Sequence, residues 1–552
     1  MKKLFKKLSK KLSILLLFTL ILTACGKKND ENQTANDKKN VETESLHNKD
    51  ELVLGFGTEP DKGWDPIHGS GHYGTSIFQS ALLKRDIDLN IVPDLAKSYE
   101  LSDDKKTILV ELNDDLKFSD GSNLTASDVA FTYNLAKKEG TPGVNLTRLV
   151  DAVATDDKHV EIHLNEPDIS FTSSMCSLAI VPEKSYGPDY GKNPIGSGPF
   201  KLVEWKVGQQ LIVEPNEYYI GEKVPFKKIT FLFFKDQDQA LATAKSGDCD
   251  VIRIPITAKH TDFPGFHTES IKTVDNRGIS LPTVPSTGEV TGDKSIVQGA
   301  PIGNDVTSDI NIRRALDIAM DREEMIETIL DGEGTPAYSI ADGLPWFNDK
   351  TIEENDGDIE KAKKILDDAG WVEGSDGIRE KDGVKAKFDL YYAYQDREDI
   401  AVYFCDQAKK IGIEINPLFG DWDFVTPHMY SDAVLFGWGG YDPLEMFYSY
   451  SSQYRGVEYY NSNFYSNKKV DEYFEKGLSS DTVEELNENF KLAQWDGETG
   501  LSAKGDCPWV WLVNENHVYL IRDGLDIGRQ KIQPHGGGWP MLDTISNWKW
   551  TK

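Results

Sequence analysis

The first strongly apolar run is short. Ile14-Leu15-Leu16-Leu17-Phe18-Thr19-Leu20-Ile21-Leu22 gives way to a stretch from Gly26 to about Lys49 with almost nothing apolar. Leu52-Val53-Leu54-Gly55-Phe56, bounded by Gly57 and Pro60, is the first pattern that predicts a buried strand. Thr107–Leu112 and the alternating His159–Leu164 predict further strands. Thr125 and Asp128, three apart, form a capping box ahead of a helix at Val129–Lys138. Leu211–Glu214 and Lys228–Phe234 read as strands, followed by a helical stretch Gln237–Lys245, a stop at Gly247 and a strand at Val251–Ile254. A second strand–helix–strand unit follows as Lys387–Tyr392, Ile400–Lys410 and Ile413–Pro417. Two separated units of this kind predict an α/β class with at least two lobes. Between them, Ser286–Ser308 is polar and rich in Gly, Thr and Asp, which predicts a long surface loop. Helical periodicity runs over Ile312–Leu330 and over Ile359–Ala369, the latter closed by Gly370.

Charge changes the picture at the amino end. Lys2, Lys3, Lys6, Lys7, Lys10 and Lys11 precede the first apolar run, which is shorter than the roughly 20 residues of a membrane-spanning helix. A basic segment, a short apolar core and the small-residue exit Thr23-Ala24 describe a cleaved secretory signal over residues 1–24. Those residues hold six lysines and no acid, so their removal takes the formal charge from −30 to −36. Such an acidic surface excludes binding to nucleic acid through a Lys/Arg footprint on phosphates. Residues 25–50 read as a flexible linker, too polar to offset the entropy of ordering. The 11% aromatic content of the whole sequence describes a globular body beyond that linker. No second long apolar stretch occurs. Cys176, Cys249, Cys405 and Cys507 are scattered, without a CxxC pair, and are expected as buried free thiols, with a disulfide whose pairing the sequence does not give as the alternative.

The sequence offers little catalytic chemistry. It has no HExxH, no GxSxG and no P-loop. Gly69-Ser70-Gly71-His72-Tyr73-Gly74 matches G-x-G-x-x-G, but Pro66 stands where a strand should lead in, and Asp86 and Asp88 come too early for a ribose contact. Asp103-Asp104 and Glu353-Glu354 are chain neighbours whose side chains diverge. His68, His72 and His535 lie in glycine-rich loops. Imidazole suits nickel, zinc or copper, so they are either a speculative metal set or solvated loop histidines, with His428 and His517 ranking below them.

Two resemblances follow from the motifs. Leu22-Thr23-Ala24-Cys25 resembles the lipobox of bacterial lipoproteins, which implies that Cys25 carries the lipid (palmitate) and becomes the first residue. Asp94-Leu95-Ala96-Lys97-Ser98-Tyr99, Lys117-Phe118-Ser119-Asp120-Gly121, Gly196-Ser197-Gly198-Pro199-Phe200, Ile312-Arg313-Arg314-Ala315-Leu316, Asp321-Arg322, Ala362-Lys363-Lys364-Ile365-Leu366 with Ala369-Gly370-Trp371, and Gly437-Trp438-Gly439-Gly440-Tyr441-Asp442-Pro443 occur in this order. Together they resemble family 5 extracellular solute-binding proteins of ABC importers, the peptide- and nickel-binding group.

That resemblance implies a two-lobed, periplasmic-binding-protein-like type II fold with an extra inserted domain. A discontinuous domain I would comprise 51–93, 190–305 and 516–552, with domain II inserted at 94–189 and domain III at 306–515. The implied role is capture of an oligopeptide, a dipeptide or a nickel chelate between lobes that close by hinge motion. Delivery would be to the permease and ATPase subunits of an importer, by a monomer tethered at the extracytoplasmic face of the cell membrane, with no enzymatic step and no cofactor of its own. A membrane-anchored extracellular peptidase is the alternative. In peptide-binding relatives an aspartate shortly after Gly-Trp neutralises the ligand's ammonium; here glycines stand at that place and only Asp442 remains, a shortened form that looks more like the nickel-type branch and speaks against strict recognition of a free amino terminus. Trp438 and Tyr441 are candidates for the aromatic lining or for core packing, Asp442 for ligand pairing or for a cap, and Trp539, in another glycine-rich loop, ranks below them.

Overall fold

A computed structural model describes residues 50–71, 74, 76–292, 294–352 and 356–551. Cys25, the leader, the linker as far as residue 49 and His72 lie outside the described residues. Two mixed sheets organise the chain. The first runs in the order 266–271, 517–522, 251–254, 51–55, 228–232, 210–215, 200–206. Its centre is a parallel trio, in which Glu51–Gly55 lies between Lys228–Leu232 and Val251–Ile254. The connecting helix Gln237–Ser246 starts where Asp236 accepts the Gln239 N–H at 2.8 Å and ends at Gly247. The helix's Ala240 and Ala244 pack in one core with Ile252 and Ile254, while Leu52, Leu54, Ile229, Phe231 and Val251 meet in another.

The second sheet has the order 334–336, 509–515, 276–280, 433–436, 387–393, 414–420. Helices Ile310–Ala319, Arg322–Ile329, Ile359–Asp368 and Glu398–Lys410 contribute to the core packed with it. The helical periodicity over Ile312–Leu330 is broken in two, because Asp321 leaves the helix to cap the next one through the Glu324 N–H at 2.8 Å. A separate four-stranded antiparallel sheet, 96–101, 107–112, 159–164, 149–154, packs with helix Ala126–Glu139. The Thr125 N–H donates to Asp128 at 2.9 Å, the reciprocal half of the capping box.

The chain crosses between the large sheets twice, from Ile271 to Asn276 and from Glu515 to His517. The first of these crossings spans residues 272–275. Asn276–Ser280 pairs with Trp509–Glu515 and Ala433–Phe436, so it belongs to the second sheet. At the crossing Arg277 bonds Asp275 at 2.5 Å and Glu515 at 3.0 Å, all three buried or nearly so. Burial pushes the Asp275 carboxyl up, but the Arg277 charge and the imidazoles of His517 and His535 outweigh it and hold Asp275 well below the usual range.

Two expectations need correction. Among its described residues the segment 286–308 has neither helix nor strand, yet it is not a mere surface loop: Val290, Ala300 and Val306 are buried, and Ile296 lines the cavity described below. Its polar composition is tolerated because its backbone pairs with itself, as in Val290 N–H to Ala300 O and Gly299 N–H to Val290 O, both 2.9 Å. The four described cysteines are free, but only Cys249 and Cys507 are fully buried; Cys176 and Cys405 are half-buried.

Candidate ligand-binding cleft

A cavity of about 1990 Å³ opens between the first-sheet region, the four-stranded-sheet region and the second-sheet region. Its aromatic wall begins where strand Ala433–Phe436 ends and the chain turns through Gly437-Trp438-Gly439-Gly440-Tyr441-Asp442. That turn needs its glycines. A Cβ at Gly437 would stand 1.7 Å from the Asn276 carbonyl oxygen. The closeness allows Asn276 to accept the Trp438 N–H at 2.8 Å and to donate its own N–H to the Trp438 carbonyl at 3.1 Å. The turn is also fastened to the opposite side of the cleft. The His535 N–H reaches the Gly439 carbonyl at 2.8 Å, Arg85 reaches the Tyr441 carbonyl at 2.5 Å, and the Tyr441 hydroxyl donates to the Ile532 carbonyl.

The Trp438 ring stacks on Tyr460 at 5.8 Å with 9° between planes, and Tyr448 lies 4.8 Å from Tyr460 and 4.5 Å from Tyr454. All four line the cavity. Two carboxylates stand among them. Asp442 accepts the Leu444 N–H at 2.9 Å at the start of helix Leu444–Tyr450. Glu445, one residue further, accepts the Gly440 N–H at 2.9 Å. Burial pushes Asp442 up to about 6 against the pull of Arg85 and its own backbone bond; it pushes Glu445 up to about 7, helped by the nearby Asp442. Neither carboxylate is in an ion pair among the described residues.

The cations across the cleft are largely committed. Lys531 bonds Asp543 at 2.5 Å and the Arg85 carbonyl at 2.7 Å, while Lys84 lies 3.3 Å from Asp94. Arg85 also reaches the Leu89 carbonyl at 3.1 Å and the Ser173 hydroxyl at 3.0 Å. Asp442 and Glu445 thus stand among the aromatic rings of the lining without an ion-pair partner among the described residues.

Of the candidates from sequence, Trp438, Tyr441, Asp442 and His535 line the cavity. Trp539 does not. Its ring packs 5.1 Å from Phe231 and 5.6 Å from Trp64, and its N–H donates to the Thr58 carbonyl at 3.3 Å. His68 is exposed, bonds Asp65 at 2.9 Å and is outside the cavity lining. His535 bonds Asp275 at 2.8 Å. Among the described residues no group of three or more His, Cys, Asp or Glu side chains is placed to hold a metal.

Glu445, Tyr448, Tyr454, Tyr460 and Arg85 are cavity residues that sequence reasoning missed. A usable signal was present for the tyrosines. Six fall between Tyr441 and Tyr460, a density that an ordinary core segment does not need.

Residues 90–458 match the family described as bacterial extracellular solute-binding proteins, family 5 middle. Protein XP55 of Streptomyces lividans is 34% identical over 493 residues, covering 86% of this chain and 85% of that protein. The oligopeptide-binding protein AppA of Bacillus subtilis is 29% identical over 544 residues, covering 93% and 94%. The structure of AppA with a nonapeptide superposes with a TM-score of 0.66 at 26% identity, over 91% of this chain and 99% of that one. NikZ from Campylobacter jejuni with Ni(L-His) shares the fold, with a TM-score of 0.69 at 23% identity over 92% and 100%. Among the described residues no helix is long and apolar enough to cross a membrane. The chain belongs to family 5 of the bacterial extracellular solute-binding proteins.

Proposed function

We propose that this chain captures oligopeptides in the cleft and hands them to the membrane subunits of an ABC importer, tethered by a lipid on Cys25 at the extracytoplasmic face. The observation that carries the peptide reading is the pairing of size with charge. A cavity of about 1990 Å³ exceeds the roughly 300–1,000 Å³ of a drug-sized site, and its lining holds the carboxylates of Asp442 and Glu445, which have no ion-pair partner among the described residues. A peptide's amino-terminal ammonium, docked between them and under Trp438 and Tyr460, supplies the missing cation and gains cation–π attraction. Glu445 provides the carboxylate that Gly439 and Gly440 leave out of the loop. The AppA relative, whose solved complex holds a nonapeptide, supports the same reading.

The role asks for binding without turnover. Incubating purified protein with a peptide mixture tests this directly: capture at one peptide per chain is expected, and steady release of cleavage products contradicts it. For the anchor, Cys25→Ala is expected to release the protein from membranes into the medium.

A second reading is favoured by one observation. His535 lines the cavity while its Nδ1 is tied to Asp275, the carboxylate-backed arrangement that metal-ligating imidazoles use. A nickel chelate that brings most of its own ligands would use His535 as a protein donor. Elemental analysis of the purified protein separates the two readings.

A further inference from the structure

We infer that the ligand cleft extends past its enclosed part onto an aromatic shelf around Tyr394, Trp422 and Tyr459, which receives an aromatic side chain from the outer portion of a bound peptide. The inference rests on the peptide reading above.

Strands Lys387–Ala393, Glu414–Gly420 and Ala433–Phe436 run parallel, with the first between the other two. Each delivers an aromatic residue at its carboxyl end: Tyr394 directly after the first, Trp422 two residues after the second and Trp438 two residues after the third. Carboxyl ends of parallel strands are where open α/β sheets gather ligands. The rings form a continuous file. Trp438 lies 6.1 Å from Phe436, Phe436 lies 6.3 Å from Trp422, and Trp422 lies 6.4 Å from Tyr394 and 6.0 Å from Tyr459. The inner members line the enclosed cavity, as do Trp422 and Tyr459. Tyr394 stands beyond that lining with 55% of its surface exposed, and Tyr459 is 41% exposed. The shelf is therefore continuous with the cleft.

Tyr394 also holds a conformation that a surface residue without a task would not keep. Its φ is +70° with ψ 125°, a region costly for any residue with a β-carbon and rare for a bulky one. A glycine would sit there without strain. The ring is nevertheless held in place. The Arg397 guanidinium lies 4.9 Å from its centroid, and the Trp422 indole N–H donates to its hydroxyl at 3.2 Å. Arg397 is itself buried. An exposed ring fixed by a buried cation is a pre-organised face, which loses little freedom when a second ring settles against it.

The test uses alanine peptides from tripeptide to nonapeptide, each with a free amino terminus. Every length is prepared with alanine or with tryptophan at the carboxyl end and titrated into wild type and Tyr394→Gly. Above a threshold length, tryptophan is expected to raise wild-type affinity about three- to tenfold over alanine, in keeping with one aromatic pair. In Tyr394→Gly that ratio falls to about one. The unfolding temperature of the variant stays level or rises, because strain is relieved, which separates loss of the shelf from loss of the fold. Alanine peptides that bind with no tryptophan gain at any length, or a gain that survives Tyr394→Gly, overturn the shelf alone. If no peptide binds wild type, the peptide reading falls and the shelf with it.

Discussion

The carboxylate of Glu445 occupies the space that a side chain at Gly440 would need. It accepts the Gly440 N–H at 2.9 Å, and a Cβ on Gly440 would come within 2.4 Å of its Oε1. Gly440→Ala must therefore push Glu445 off its backbone donor, and the carboxylate loses the position from which it meets an ammonium. The expected outcome is a loss of about 1.5–3 kcal/mol in affinity for an unblocked peptide, the scale of one charge-assisted hydrogen bond. The N-acetylated peptide, which carries no ammonium, is expected to bind wild type and variant alike. Calorimetric titration of both peptides checks it, and an equal loss for the two would remove Glu445 from ammonium recognition.

The same carboxylates predict a pH dependence of definite sign. Folded-state values near 6 for Asp442 and near 7 for Glu445 lie above the ordinary values of roughly 4. A carboxyl that holds its proton more tightly in the fold stabilises the fold while protonated. This part of the stability of the ligand-free protein is full below about pH 4 and is lost as pH rises toward about 7. Affinity for a cationic peptide moves the other way and strengthens from about pH 5 to 8 as both groups ionise. Arg85 and His535 also face the pair, so Glu445→Gln is the control. It is expected to flatten most of the upper half of both profiles, measured as unfolding temperature and binding constant against pH.

Outside the cavity lining, contacts join residues 105 and 169 to residues 478–481. Lys105, beyond the strand Ala96–Leu101, reaches the Ser479 carbonyl at 3.1 Å and Asp481 at 2.6 Å, and the Ile169 N–H donates to the Leu478 carbonyl at 3.0 Å. The charged contact is near the surface, so it is worth about 1 kcal/mol at most and is screened by salt. Lys105→Ala is expected to speed peptide release about two- to fivefold at low salt. At high salt wild type and variant converge. Stopped-flow displacement reads this, and a salt-independent difference would assign Lys105 a different role.

Arg322 is expected to matter for stability and not for the ligand. It is wholly buried, bonds Asp317 and Asp356 at 2.6 Å each, and donates to the carbonyls of Ala337 and Trp511 at 2.9 and 2.8 Å. Arg322→Leu leaves Asp317 buried without its cation and is expected to cost about 3–5 kcal/mol. Denaturant unfolding measures it. A variant as stable as wild type would contradict the buried network.

Arg322 also shows which parts of the chain were legible beforehand. The motifs that carried the family resemblance are chiefly places where the fold is fastened. Arg313 ties the carbonyls of Thr307 and Cys507, Ser119 bonds Gly196 so that two motifs meet, and Gly437 admits Asn276. Such sites serve packing, so they revealed the fold without revealing the ligand. Strands such as His159–Leu164 were readable because one face is apolar and alternates. Asn276–Ser280 was not, since Asn-Arg-Gly-Ile-Ser reads as polar loop. It is buried because distant partners satisfy it: Asp275 and Glu515 hold Arg277, Trp438 holds Asn276, and Ser462 lies 3.2 Å from Ser280. Glu445 escaped notice for a related reason. A glutamate in the first turn of a helix has an ordinary explanation in the helix dipole, and only the folded loop shows that it stands beside Gly440 and faces the cavity.

The most direct measurement is native mass spectrometry of the purified protein, paired with elemental analysis. The account predicts one bound peptide per chain, with a free amino terminus and no stoichiometric metal. One nickel per chain with a small organic ligand would contradict it.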